Sequence, residues 1–191
     1  IGWNGVTEEH VWYPEEWRAK AEQQGREVAF YLEDSSVKTV IYGGQAMFAY
    51  YAQLPYALEG MTGLTDKELA KRESRDQRVG HGRKADIQYL QERGIDLYLD
   101  FRIQQGSSPL NQIQLGEMTG SILSYRREPL ELLKKKGAIF QDFPLFLDEY
   151  SGNIANRTKE QIVMDYQNFR RYYFQHTADT EREKAFLPYL Q

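Results

Sequence analysis

Apolar residues along this chain alternate between short β-branched runs and longer stretches with helical spacing. Residues 37–42 form the clearest run, which predicts a buried strand. The segment before it opens at Pro14 with two glutamates, and its apolar positions recur every three or four residues, which predicts an amphipathic helix. The same criteria predict further strands at 56–61, 95–101, 113–115, 121–125 and 138–143, and further helices at 45–53, 85–93, 129–136, 158 onwards and 180–190.

Strands that alternate with helices indicate an α/β fold in which at least part of the sheet is parallel. The length of 191 residues fits one domain, and the chain has no internal repeat and no linker-like segment. We therefore expect residues 1–191 to form a single layered α/β domain. Its sheet should be mixed, partly parallel and flanked by helices.

Two capping signatures predict where helices begin. Thr65 and Thr158 are each followed three residues later by a glutamate or glutamine, which is the pattern of a capping box. We expect a helix to start at each threonine. The polar, glycine-containing stretch 71–84 predicts a loop, and residues 144–156 are expected to be irregular.

Composition excludes several classes of protein. Hydrophobic residues make up 41% and charged residues 27%, as in a globular chain. A net charge of −4 argues against a dedicated nucleic-acid binder, so we expect no nucleic-acid partner. The absence of cysteine excludes disulfides, thiolate zinc sites and cysteine nucleophiles. No stretch approaches the ~20 apolar residues of a membrane helix.

Two further features bear on the origin of the chain and on its binding partners. The chain begins without an initiator methionine or a signal peptide, as expected of a processed protein or of a domain from a longer one. It also holds 14 tyrosines. Tyrosine suits protein interfaces and sugar-binding surfaces, but it equally fills the core of a two-sided α/β fold, so both interpretations stay open.

Candidate ligand-binding residues follow the first two predicted strands. Tyr42, Gly43 and Gly44 lie at a strand-to-helix junction, where backbone N–H groups can approach a phosphate. A tight turn explains the glycines equally, because the spacing is neither that of a dinucleotide fingerprint nor that of a P-loop. Asp66 lies just after a strand, where α/β proteins place ligands. Its interaction with a helix dipole is the structural alternative.

A locally basic segment supplies the other candidates. His81, Arg83 and Lys84 lie in a glycine-containing stretch that is positive in a chain that is negative overall. Such a loop could hold a phosphate or an anionic lipid head group, or it could simply be solvated. The histidines lack metal-ligand spacing, so we expect neither a metal nor any other cofactor.

Catalytic signals are weak in this sequence. Asp142, Asp148 and Glu149 form a loose acidic group. Paired carboxylates of this kind serve glycoside hydrolysis, although a solvated loop explains them equally. No serine lies in a nucleophile elbow.

The order of several short motifs resembles a known family. The pieces, in order, are the strand 37–42, Gly43-Gly44, the aromatic helix 47–51, Leu54-Pro55, the strand 56–61, Gly63-Leu64-Thr65-Asp66, the Gly-His segment 79–84, and the helix and strand of 89–99. This order over residues 37–101, a third of the chain, resembles the soluble C-terminal domain of bacterial polytopic glycosyltransferases that use polyprenyl-phosphate sugars, of the arabinofuranosyltransferase and mannosyltransferase kind. Asp66 and His81 match that pattern, whereas Gly82 departs from the acidic residue often found there.

The resemblance implies a function without local catalysis. In that family the catalytic carboxylates lie in the membrane-embedded part, so no catalytic residue is carried over to this chain. We expect a periplasmic or otherwise extracytoplasmic domain, tethered to a membrane glycosyltransferase or free-standing, that binds a glycan acceptor or a polyprenyl-phosphate sugar. The expected ligand-binding residues are Tyr42, Gly43, Gly44, Asp66, His81, Arg83 and Lys84.

Two alternatives remain open, and with them the question of whether the chain is an enzyme. One is a small stand-alone envelope hydrolase that uses His81 with a carboxylate such as Asp66 or Asp142. The other is an envelope module that binds a partner protein through a tyrosine-rich face.

Overall fold

A computed structural model of the chain describes residues 14–43, 45–73, 82–102 and 109–190, and an open six-stranded sheet forms the centre of this part. The strands are β1 (Lys38–Ile41), β2 (Tyr56–Glu59), β3 (Leu97–Tyr98), β4 (Gln112–Leu115), β5 (Met118–Ile122) and β6 (Ile139–Phe140). Their order is β2-β1-β3-β5-β4-β6. β1 is parallel to β2 and β3, and the other pairs are antiparallel. The expected mixed, partly parallel sheet is confirmed.

Helices flank the sheet, as the α/β prediction requires. They are α1 (Glu15–Leu32), α2 (Ala46–Tyr51), α3 (Lys67–Lys71), α4 (Ile87–Glu92), α5 (Arg127–Lys135), α6 (Phe143–Gly152), α7 (Lys159–Phe169) and α8 (Thr180–Lys184). A π-helical turn, Arg170–Phe174, continues α7.

Successive side chains of β1 point to opposite faces of the sheet, and the helices on each face form a separate core with them. Ile41 packs into a core that also contains Phe48 of α2 and the buried residues of α1. Its neighbour Val40 points the other way, because successive strand residues face opposite sides of a sheet. It joins a second core with Leu69 of α3 and Leu90 of α4. The sheet is therefore covered on both sides at β1.

A partly buried ion pair joins the parallel part of the sheet to the antiparallel part. The Asp96 carboxylate accepts hydrogen bonds from the Lys38 N–H at 2.8 Å and from Arg126 Nε and Nη2 at 2.5 and 2.6 Å. Lys38 begins β1, Asp96 precedes β3 and Arg126 follows β5. One carboxylate thus fixes the ends of these three strands relative to one another.

The C-terminal helices have a core of their own, and it is unusually aromatic. Its buried residues are Phe143, Leu147, Tyr150, Ile162, Phe169, Tyr173, Phe174 and Phe186. Tyr125 and Tyr172 pack against both this core and the core of α1. Most tyrosines of this half are thus packing residues, which favours the core interpretation of the high tyrosine content.

The structure corrects two local predictions and confirms a third. The N-cap of α3 is Asp66 rather than Thr65, because the Thr65 hydroxyl instead accepts the N–H of Glu59 at 2.7 Å. Residues 144–156, expected to be irregular, contain most of α6, which is capped by the carboxylate of Asp142. The capping box at Thr158 is present as predicted. Much of the predicted loop 71–84 lies outside the described residues.

Gly25 allows α1 and α2 to pack closely. A Cβ atom at this position would lie 2.7 Å from Tyr51 Cβ and 3.1 Å from the backbone nitrogen of Ala52. These neighbours are backbone and near-backbone atoms of α2, so they can yield only if the helices move apart. The close approach therefore depends on glycine.

We predict that Gly25→Ala destabilises the protein, although alanine is the better helix former. Overpacking of this kind typically costs about 1–3 kcal/mol, which exceeds the roughly 1 kcal/mol that alanine gains over glycine in a helix. Urea unfolding followed by circular dichroism measures the difference. Gly152→Ala in α6 is the matched control, because nothing lies within 4 Å of a Cβ atom there. Equal stability changes in the two variants would contradict the packing argument.

Candidate functional site

The strand order places a crevice at the carboxyl ends of the parallel strands. The chain passes from β1 to β2 and then returns to β3 on the other side of β1, so the order reverses at β1. Open α/β sheets bind ligands outside the carboxyl ends of the strands at such a reversal. A cavity of about 470 Å³ lies there, bordered by Tyr42 after β1, Met61 after β2, and Asp100 and Arg102 after β3. We refer to it as the strand-end crevice.

A buried glutamate shapes the loops around this crevice. Glu59 ends β2 and is 7% exposed. Its carboxylate accepts the N–H groups of Gly43 at 2.9 Å, Met61 at 3.1 Å and Thr62 at 2.6 Å, and it also accepts the Thr62 hydroxyl. The loops after β1 and β2 are therefore fastened to a single side chain.

The contacts of Gly43 bear on the two interpretations of the glycine pair. Gly43 has a φ of 56°, a conformation that favours glycine, and its N–H already binds the Glu59 carboxylate. The amide is thus engaged within the turn, which favours the tight-turn interpretation over a phosphate cradle. Gly44 lies outside the described residues.

Two tyrosines form the aromatic wall of the crevice. The rings of Tyr42 and Tyr98 meet edge to face, with centroids 5.3 Å apart. The Tyr42 hydroxyl donates to the Ala85 carbonyl at 3.2 Å, and the Tyr98 hydroxyl donates to Asp100 at 3.3 Å. Burial, followed by nearby charges, raises the pKa of each phenol to about 12. Both hydroxyls are therefore protonated at neutral pH.

Lys84 supplies a positive charge at the crevice. Its ammonium lies 6.0 Å from the centroid of the Tyr42 ring. Within the described parts of the chain no carboxylate forms a salt bridge with it. Arg102 differs, because its guanidinium binds the buried Asp100 carboxylate at 2.9 Å and the Tyr42 carbonyl at 2.6 Å. Among the residues that line the crevice, the positive charge in excess therefore comes from Lys84.

The remaining wall of the crevice is apolar. It is formed by Val40, Met61, Ala85, Ile87, Leu90 and Leu123. Ile87 is exposed at 42% although it is a large aliphatic residue. The crevice thus combines an apolar side, two aromatic rings and one lysine without an acidic partner among the described residues.

The structure places the other predicted site residues in different positions. Arg83 donates from Nε to the Arg72 carbonyl at 3.1 Å, and its backbone N–H binds the Met61 carbonyl at 3.2 Å, so it pins the segment that carries Lys84. His81 lies outside the described residues. Of the predicted set, the structure brings Tyr42 and Lys84 together in the crevice.

Asp66 is fully engaged in local structure and does not line the crevice. It is 8% exposed and caps α3 by accepting the N–H groups of Glu68 and Leu69, each at 2.9 Å. The Tyr89 hydroxyl donates to it at 2.6 Å, and Arg93 Nε lies 3.0 Å away. Burial acts to raise the pKa of Asp66, but the hydrogen bonds from Tyr89 and Leu69 and the charge of Arg93 outweigh it and hold the pKa below its usual range.

Two carboxylates of the acidic group considered for hydrolysis are engaged in local contacts. Asp142 caps α6 and lies 3.6 Å from Lys134. Asp148 forms two hydrogen bonds with Arg182, at 2.7 and 2.8 Å. Over residues 14–43, 45–73, 82–102 and 109–190, no group of three or more potential ligands is arranged to hold a metal ion. Asp142 and Asp148 thus serve helix capping and local ion pairing.

Sequence reasoning missed Glu59, Tyr98, Asp100 and Arg102. The signal available for Asp100 and Arg102 was their position at the end of a predicted strand, where the sites of α/β proteins concentrate. Glu59 gave no signal, because a glutamate at the end of an apolar strand suggests solvent exposure.

We predict that Asp66→Asn lowers the free energy of unfolding at pH 7 by about 1–2 kcal/mol, because charge-assisted hydrogen bonds are lost. The pKa of Asp66 is lowered in the folded protein, so the stabilisation is present above the pKa of the unfolded chain. It is lost as the pH falls through the folded value. The difference from wild type should therefore shrink below about pH 4, which urea titrations across this range would measure.

Asp86→Asn provides the matched control. Asp86 also caps a helix, but it is half-exposed and accepts one N–H, that of Tyr89, at 2.9 Å. Its substitution should cost less at pH 7. A pH-independent difference between wild type and Asp66→Asn would contradict the proposed role of the carboxylate charge.

Comparisons with known proteins assign no role to these residues. The chain matches no protein-family model, no curated protein and no solved structure. The strand-end crevice, with Lys84 beside the Tyr42–Tyr98 pair, is therefore the candidate site on physical grounds alone.

Proposed function

We propose that this chain is an extracytoplasmic accessory domain of a membrane glycosyltransferase, or a free-standing relative of one, that binds a lipid-linked sugar phosphate in the strand-end crevice. It performs no chemistry of its own there. The observation that carries the proposal is the position of Lys84, a cation without an acidic partner among the described residues, beside an aromatic wall in a concave site.

The charge of the crevice supports an anionic ligand. Arg102 and Asp100 offset each other, which leaves the ammonium of Lys84 to attract a negative group. A lysine ammonium carries several hydrogen-bond donors and is a common partner of phosphate. A phosphate would therefore gain a charge-assisted contact without displacing a carboxylate from Lys84.

The neutral surfaces of the crevice support a sugar with an apolar group attached. Tyrosine rings present apolar faces and polar tips, as suits the mixed surface of a sugar. In the aliphatic wall, Ile87 is 42% exposed and offers apolar area to a prenyl chain. The phosphate, the sugar and the lipid of such a ligand would thus contact Lys84, the tyrosine rings and the aliphatic wall respectively.

The motif order over residues 37–101 supports the link to polyprenyl-phosphate-sugar glycosyltransferases, and with it the extracytoplasmic location. Among the described helices, none has the length and apolar character needed to cross a membrane. In the resembled family the catalytic carboxylates lie in a membrane-embedded part, so the proposal assigns the recognition of ligand, and not glycosyl transfer, to this chain.

We predict that Lys84→Gln weakens the binding of a water-soluble short-chain prenyl-phosphate hexose by about tenfold or more, as expected when a charge-assisted contact is lost. Isothermal titration with wild type and variant measures the change. The unphosphorylated prenyl hexose should bind both proteins equally, because it has no group to pair with the ammonium.

Lys20→Gln is the matched control, since Lys20 is exposed on α1 away from the crevice and its loss removes the same charge. It should leave binding unchanged. Binding by wild type that Lys84→Gln does not weaken, or no binding by a folded wild type across prenyl-phosphate sugars of several hexoses and pentoses, would refute the proposal.

A further inference from the structure

A second cavity lies in the C-terminal half of the chain, to which the family resemblance does not extend. It has a volume of about 740 Å³ and lies between α5, the start of α6 and the segment 173–182. This is within the ~300–1,000 Å³ usual for ligand sites. It shares no lining residue with the strand-end crevice. We refer to it as the C-terminal cleft.

One side of the cleft is aromatic. Tyr125, Phe140 and Tyr173 line it, with the Tyr125 ring centroid 6.4 Å from that of Phe140 and 5.1 Å from that of Tyr173. Tyr125 and Phe140 are only half-buried, so part of each ring remains accessible. Accessible ring faces offer apolar contact to the C–H faces of a flat ligand.

The rest of the lining consists largely of charged side chains in pairs. Arg127 Nε binds Glu131 at 2.7 Å, Lys134 Nζ lies 3.6 Å from Asp142, and Arg182 Nη1 lies 2.9 Å from Asp179. Every cation of the lining thus has a carboxylate partner within the lining itself. The cleft contrasts in this respect with the strand-end crevice, where Lys84 has none among the described residues.

His176 adds no charge to the lining of the cleft at neutral pH. Burial lowers its pKa, so the imidazole is uncharged at neutral pH. Its Nε2 lies 3.1 Å from the Arg171 carbonyl, which fixes the ring at the edge of the cleft. The cleft therefore offers donors and acceptors in quantity while its charged groups cancel.

We propose that the C-terminal cleft binds an uncharged oligosaccharide. An ionic ligand would meet a charge of its own sign beside every charge that attracts it, whereas a sugar hydroxyl can accept a hydrogen bond from the cation and donate one to the carboxylate at the same time. The aromatic side provides a surface for the sugar ring. Neutral polyhydroxylated ligands combine these two requirements.

This assignment goes beyond the function proposed for the strand-end crevice and does not depend on it. The crevice selects an anionic ligand through Lys84, and the cleft selects a neutral ligand through paired charges. Substitutions in one site should leave binding at the other unchanged, so the two proposals can fail separately.

The test is titration of the chain with neutral trisaccharides of glucose, galactose, mannose and N-acetylglucosamine, followed by saturation-transfer NMR and calorimetry. At least one should bind. Ala178→Trp places an indole in the cleft from an exposed position on its lining, and it should weaken that binding by roughly tenfold or more. Lys84→Gln should have no effect.

Ala155→Trp is the matched control, because Ala155 is exposed in the turn before α7 and borders neither cavity. It should bind as wild type does, and thermal melting should show both variants folded. Failure of a folded wild type to bind any of these sugars, preference for a zwitterionic or anionic ligand over them, or equal binding by Ala178→Trp would overturn the proposal.

Discussion

The buried carboxylate of Glu59 holds together the loops on which the candidate site depends. It replaces the hydration it loses with N–H groups from the loops after β1 and β2, at 2.6 to 3.1 Å. A buried charge is tolerated only when such partners are present. The positions of Tyr42 and Met61, which both border the crevice, therefore follow from one side chain that does not line it.

Hydrogen bonds between tyrosine hydroxyls and carboxylates recur throughout the described structure. Hydroxyl-to-carboxylate hydrogen bonds join Tyr89 to Asp66, Tyr98 to Asp100, Tyr150 to Asp165, Tyr166 to Glu183 and Tyr173 to Asp179. Burying a tyrosine leaves its hydroxyl in need of a partner, and an ionised carboxylate is a strong one. These pairs explain how an acidic chain rich in tyrosine builds dense cores. They also weaken the case for a tyrosine-rich docking face.

The sequence predicted the elements better than it predicted the site. A β-branched run located β1, which is buried on both faces. Helical spacing located α1, because one apolar face against one core leaves a regular pattern. It failed at α6, where apolar residues around most of the helix hide the period. The sequence predicted Tyr42 and Lys84 as site residues. It did not predict Tyr98 and Asp100, which border the same crevice but belong to a strand distant in sequence and to the residues after it. Such contacts depend on strand order, which local patterns do not specify.

We propose that the strand-end crevice binds a phosphorylated, lipid-linked sugar. Amide NMR spectra of the labelled chain, recorded while a short-chain prenyl-phosphate hexose is added, show which residues the ligand contacts. We expect the largest shifts on the amides of Tyr42, Lys84 and Asp100, which border the crevice. Shifts confined to residues outside the crevice, or unchanged spectra at saturating ligand, would contradict it.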